Sequence, residues 1–296
     1  MANFRAGTVT LCRACGRTRG SGREFASLER GLYMLTTLLV FLAAGAVAGL
    51  IGGLFGLGGG VVMVPVLLFV FAAQGVSEAV IMHMAVGSSL AVIVLTSLSS
   101  VRAHHGLGGV MWPVFGRLVA GIVVGALLGA WLADSLSTTA LQNVFAVFLV
   151  LVAVKMGFDL NPRASGREPG AVGMTAAGGV IGSLSALVGI GGGTLTVPFL
   201  SWCGVAMRQA VGTSAACGLP IALAGSVGFM LTGWGRPDLP ALATGYVYWP
   251  AVAGMAVASV LTAPHGARLA HRLPGALLKR LFALLLAVVA LRLLLG

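Results

Sequence analysis

The chain has 296 residues, of which 58% are hydrophobic and 8% charged, and its mean hydropathy is +1.03. Soluble domains carry about a quarter of their residues as charges, so a soluble globular protein is excluded and a polytopic helical membrane protein is implied. The net charge of +11 does not mark a nucleic-acid binder, because the arginines sit in an N-terminal tail and in loops between apolar runs, where they set orientation in a bilayer.

Residues 1–33 hold Arg5, Arg13, Arg17, Arg19, Arg23 and Arg30 with little apolar content. They read as a basic, disordered cytoplasmic tail and not as a secretory signal, which needs a short apolar core. Cys12 and Cys15 form a lone C-x-x-C in that tail. A zinc site needs a second ligand pair, so neither a metal nor a redox role is expected. Met34 directly precedes the first hydrophobic run and marks an alternative start.

The first span is read at residues 35–55. The stretch Gly56-Leu57-Gly58-Gly59-Gly60-Val61-Val62-Met63-Val64-Pro65 then interrupts it. Glycine costs a helix interior about 1 kcal/mol and proline about 3 kcal/mol against alanine, so a deliberate helix break is predicted. A short apolar piece at 61–73 follows, then spans at 79–100, 114–133 and 140–158. These runs are nearly continuous in apolar residues, whereas the strands of a membrane barrel alternate. Residues 159–170, with Pro162, Gly166, Pro169 and Gly170, form the one clear linker.

The pattern then restarts. A span at 171–188 leads into Gly189-Ile190-Gly191-Gly192-Gly193-Thr194-Leu195-Thr196-Val197-Pro198, a short piece at 194–203, and spans at 209–231, 246–263 and 277–295. Gly87-Ser88-Ser89 matches Gly212-Thr213-Ser214, and Trp112-Pro113 matches Trp249-Pro250, in the same order as the two glycine breaks. The expected fold is therefore an all-α polytopic membrane protein of about eight transmembrane helices in two repeated halves, residues 34–158 and 171–296. Each half carries one glycine-broken short segment. Loop arginines favour four spans per half and parallel repeats; if the short pieces cross, each half has five spans and the repeats are inverted.

Broken helices at membrane depth are tolerable where they are buried in protein or line a wet cavity. A helix that starts after three glycines exposes unpaired N–H groups and about half a positive charge, and glycine lets an anion approach the backbone closely. Gly58, Gly59 and Gly60 with Pro65, and Gly191, Gly192 and Gly193 with Pro198, are thus the candidate binding residues for a small anion held between the halves. Ser88, Ser89, Thr213 and Ser214 add hydroxyl donors without bringing a charge into the bilayer. His83 is the ionisable side chain that falls clearly within a span and is the candidate proton-linked residue; the second half has no histidine to match it.

All seven carboxylates map to the tail, loops or turns, which disfavours a cation pump. No P-loop and no nucleophile–base pair is present, so neither catalysis nor a cofactor is expected. On the paired glycine motifs and the Gly-Ser/Thr-Ser pair, the chain resembles the TauE/SafE sulfite exporter family, also called the toluene sulfonate uptake permease family, over residues 35–295. The resemblance implies a secondary transporter of small sulfur-containing anions, such as sulfite or organosulfonates, in the bacterial inner membrane. The N-terminus is expected in the cytoplasm, H+ is the candidate coupling ion, and the oligomeric state is left open. A passive anion channel and a non-transporting membrane scaffold or assembly factor are the alternatives.

Overall fold

A computed structural model describes residues 19–55, 59–157 and 169–269, together with Leu284, Ala287, Val288, Ala290 and Leu291. Gly58, both tail cysteines, linker residues 159–168, His271, Arg272 and most of the final apolar run lie outside the described residues. The chain divides into two compact units, residues 1–40 and 41–296.

The described elements are helical apart from one small hairpin. Helix α1 is Arg19–Phe55, so it begins within the segment read as a disordered tail. It is followed by α2 Gly60–Ala73, α3 Ile81–Gly106, α4 Trp112–Asp134 and α5 Thr138–Gly157. The second half contains α6 Ala171–Val188, α7 Gly193–Trp202 and α8 Met207–Thr232, then the antiparallel strands β1 Ala243–Thr244 and β2 Val247–Tyr248, and α9 Trp249–Leu269. Among the described residues, five helical stretches are long and apolar enough to cross a bilayer: Leu35–Leu54, Ile81–Gly106, Trp112–Asp134, Ala171–Val188 and Met207–Thr232. This is an all-α membrane protein, as its composition predicts. Both glycine stretches break the chain where expected, and both prolines lie inside the short helices that follow.

The two halves repeat in packing as well as in sequence. A Cβ on Gly45 or Gly49 of α1 would collide with the Met255 or Ser259 carbonyl of α9. A Cβ on Gly178 or Gly182 of α6 would collide with the Leu118 or Ile122 carbonyl of α4. These contacts are equivalent in the registers set by the glycine breaks and the Trp-Pro pairs. Small residues let the backbones approach, and each half lends its first helix to the other half's fourth.

Helix directions follow from the order of such contacts. Gly121, Gly125 and Gly129 of α4 meet Thr175, Gly179 and Ser183 of α6 in ascending order, so these helices run parallel. Helices α1 and α9 also run parallel, and so do α3 and α9, through Ser88–Tyr248, Thr96–Ser259 and Ser99–Val260. In contrast α3 and α8 are antiparallel, with Gly87 against Phe229, Leu90 against Gly225 and Ser97 against Gly218. Equivalent helices therefore point in opposite directions, which is the inverted arrangement and corrects the parallel one that loop charge favoured. For α3 to follow the direction of α1, the chain must return between them, and α2 is the helix that brings it back. Fourteen residues are too few for a full span at 1.5 Å per residue, which is why the return was not counted from sequence.

Helix α3 is the most buried of the five spans. It nonetheless carries buried His83, Ser88, Ser89, Thr96, Ser97, Ser100 and His104.

Candidate functional site

The first break turns at Gly59, whose φ of +79° is left-handed and suits glycine. A side chain there would also strike the Ala48 carbonyl, so the chain doubles back close against α1. The second break turns at Gly189, with φ +71°, whose N–H caps α6 by donating to Ala186 O at 3.1 Å. The two breaks meet. A Cβ on Gly60 would collide with Gly189 O and stand 2.9 Å from Ile190 Cα. Ser89 of α3 donates its hydroxyl to Gly189 O at 2.9 Å. Gly59, Gly60, Ser89, Gly191, Gly192 and Gly193 are all buried.

Neither α2 nor α7 carries a charged side chain. The electrostatics at this junction thus come from the unpaired first amides and the helix dipoles. Pro65 and Pro198 are half-buried. Lacking an N–H, each leaves the carbonyl four residues earlier, on Val61 or Thr194, without its helical donor.

Sequence reasoning missed the residues at the start of α7. A Cβ on Gly192 would stand 3.2 Å from Thr196 Oγ1 and 3.3 Å from the Gly218 nitrogen of α8. A Cβ on Gly218 would stand 3.2 Å from Ser97 Oγ and 3.6 Å from the Gly192 nitrogen. The hydroxyls of Thr194 and Thr196, and of Ser100 one turn beyond Ser97, are buried without a hydrogen-bond partner. The available signal was the second motif itself, which reads Thr-Leu-Thr where the first reads Val-Val-Met.

The other predicted hydroxyls have protein partners. Ser88 Oγ accepts the Tyr248 N–H at 2.9 Å, and Thr213 Oγ1 accepts the Met111 N–H at 2.9 Å. Tyr248 and Met111 each precede a Trp-Pro pair, so each half's motif holds the helix start of the other half. Ser214 donates to Val211 O of its own helix at 2.8 Å. The recurrence of this motif is accounted for by scaffold bonds.

His83 lies away from the breaks, near the start of α3. Its Nε2–H donates to Ala133 O at 3.0 Å, which leaves Nδ1 buried and unpartnered. Its ring stacks on Tyr246 at 5.0 Å. Tyr246 donates its hydroxyl to Asp134 Oδ1 at 2.8 Å, and Arg236 pairs with the same oxygen at 3.0 Å. Burial, reinforced by Asp134, pushes the Tyr246 phenol above its ordinary range. This cluster ties α3 and the end of α4 to the loop ahead of α9. A groove of about 860 Å³ between α4 and α6 shares no residue with it or with the breaks.

The profile of the sulfite exporter TauE/SafE family matches residues 41–293. A probable membrane transporter protein of Haemophilus influenzae is 36% identical over 258 residues, covering 87% of this chain and 98% of its own length. A probable membrane transporter protein of Methanocaldococcus jannaschii is 28% identical over 80% of this chain and 85% of its own length. The probable membrane transporter protein YunE of Bacillus subtilis is 28% identical over 67% and 80% of the two chains. No solved structure matches the chain.

Proposed function

Because the chain belongs to the TauE/SafE sulfite exporter family, and is thus a membrane transporter, we propose that it is a secondary exporter of small sulfur-containing anions such as sulfite or organosulfonates. The substrate is held between the two repeats at the broken helix ends, around Gly59, Gly60, Gly191, Gly192 and Gly193. The N-terminus faces the cytoplasm of a bacterial inner membrane, and H+ is the coupling ion, with His83 as the proton-linked side chain.

The observation that carries this reading is the contact of Gly60 with Gly189 and Ile190. It sets the N-terminus of α2 against the turn that leads from the α6 C-cap into α7, and neither α2 nor α7 carries a charged side chain, which suits an anion and not a cation. Inverted repeats around a pair of broken helices are a transporter architecture, in which one repeat rocks against the other. Direct packing of the two breaks is then the closed form of the site, and the repeats part to admit substrate.

The test is flux in proteoliposomes. Sulfite, methanesulfonate and thiosulfate are each supplied on one side of the membrane, with and without a pH gradient. Saturable flux of at least one of them that responds to the pH gradient supports the reading. Flux that follows only the anion's electrochemical gradient makes the protein a passive channel, and no flux of any of the three sinks the proposal.

A further inference from the structure

The scaffold of the two halves obeys the repeat, but the polar groups at the two breaks do not. At the first break the side chains after the glycines are Val61 and Met63, and Ile93 of α3 presses against Gly60, at 2.8 Å from where its Cβ would be. At the second break the equivalents are Thr194 and Thr196, and the α8 residue equivalent to Ile93 is Gly218. The first break is lined by apolar side chains alone, whereas the second, against which Ile221 Cδ1 packs, also carries hydroxyls.

We propose that the anion is read by the second break alone, through the hydroxyls of Thr194 and Thr196 on α7 with Ser97 and Ser100 on α3. The ligand is a small oxyanion carrying one negative charge. This inference deepens the transport reading above and rests on it. Three observations converge. Thr194 and Thr196 are at least nine-tenths buried, yet their hydroxyls bond nothing in the protein. A buried unpaired hydroxyl is costly and persists where a ligand needs it. Gly192 and Gly218, lacking side chains, let Thr196 Oγ1, Ser97 Oγ and the Gly192 nitrogen come together, with Ile221 Cδ1 packed beside them at 2.9 Å from where a Gly192 Cβ would stand. The donors gathered there are neutral hydroxyls and amides. The N-terminus of α7 supplies about half a positive charge, which undercompensates a dianion such as sulfate more than a monoanion.

The test uses T194V, T196V and S97A. Valine keeps the shape of threonine and removes only the hydroxyl. Thermal unfolding of the full-length protein in detergent is followed with methanesulfonate, hydrogen sulfite or sulfate, beside the proteoliposome flux. Methanesulfonate and hydrogen sulfite are expected to raise the wild-type melting temperature and sulfate to leave it unchanged. Each hydroxyl lost is expected to weaken binding about tenfold or more. Without anion, T194V and T196V should melt no lower than wild type, since no protein partner is lost. A lower melting temperature without anion, with anion binding intact, would assign these hydroxyls to structure and overturn the inference. Equal stabilisation by sulfate would overturn the monoanion assignment, and absence of stabilisation by all three anions would overturn the site. If the wild type is stabilised by methanesulfonate but passes no anion, the site stands and the transport reading falls.

Discussion

The substitution Gly60→Ala tests the junction of the two breaks most directly. The added methyl group would enter the Gly189 carbonyl oxygen and stand 2.8 Å from Ile93 Cδ1 and 2.9 Å from Ile190 Cα. Two of these three atoms are backbone, so rotamer changes cannot relieve the overlap. Restoring an ordinary separation of 3.4 Å requires Ile190 Cα to retreat by about half an ångström. Gly189 is held in place from the other side by the Ser89 hydroxyl. Overpacking of this kind costs about 1–3 kcal/mol. The gain from replacing glycine in a helix is at most about 1 kcal/mol and is smaller at the first helical position. A net loss of about 1–2 kcal/mol follows, read as a melting temperature several degrees lower in detergent, with flux reduced because the closed form is the state disfavoured. Gly116→Ala is the control: it makes the same change inside α4 where a Cβ meets nothing within 4 Å, and it should raise stability by up to about 1 kcal/mol. If Gly60→Ala proves as stable and active as Gly116→Ala, the two breaks do not meet and the site between them has no basis.

Ser88→Ala and Thr213→Val each strip the acceptor from a partly buried N–H, on Tyr248 or Met111. Each should cost about 1–2 kcal/mol, and melting temperatures that fall for one and not the other would contradict the equivalence of the two bonds. Tyr246 keeps its proton in the folded protein at pH values where the unfolded chain, titrating near pH 10, has lost it. Its contribution to stability is therefore complete below about pH 10 and is lost as pH rises through the raised folded value. Tyr246→Phe should flatten the fall in melting temperature above about pH 10, and an unchanged alkaline slope would count against it. His83→Gln keeps a donor toward Ala133 but removes the titrating ring, beside which stand Asp134, Tyr246 and Arg236. Flux should persist and lose its response to the pH gradient; an unaltered response would remove His83 from the coupling.

What could be read from sequence was local chemistry. The cost of Gly58 to Gly60 ahead of Pro65 in a helix belongs to those residues themselves, so the break was visible before any fold was known. The duplication was visible for the same reason, through the repeated glycines and Trp-Pro pairs. Direction was not. Whether Arg102 and Arg163 share a side of the membrane depends on whether α2 returns the chain, so counting loop charges assumes the parity it is meant to decide. The hydroxyls were ambiguous in another way. Ser88 and Thr213 look the same in sequence whether they face an anion or the N–H of Tyr248 and Met111, and only the inverted packing of the halves brings those amides to them.

The departures from the repeat locate function better than the repeat itself. Gly45 and Gly49 have counterparts in Gly178 and Gly182, and each pair meets equivalent carbonyls. Such contacts recur in both halves because the close backbone approach of α1 to α9 and of α6 to α4 leaves room for glycine alone. The Ser88–Thr213 pair is kept as well, but other polar residues diverge. Thr96 and Ser259 share a hydrogen bond of 2.7 Å, where the equivalent positions are Ile221 and Ile122. His83 corresponds to Arg208, whose guanidinium donates to Leu107 O at 3.0 Å. Thr194 and Thr196 correspond to Val61 and Met63, and Gly218 to Ile93. A duplicated pair of half-sites would bind twice or hold a ligand on the pseudo-twofold axis. A filled first break and a hydroxyl-lined second break instead place one ligand off that axis, against α7. The first break then serves as the wall that the second closes upon. On this account, giving the first break the second's hydroxyls, by Val61→Thr with Met63→Thr, should not double anion binding, because Ile93 still occupies the space. Adding Ile93→Gly should be needed before a second anion is bound, and a second site appearing with the two threonines alone would refute the role given to Ile93.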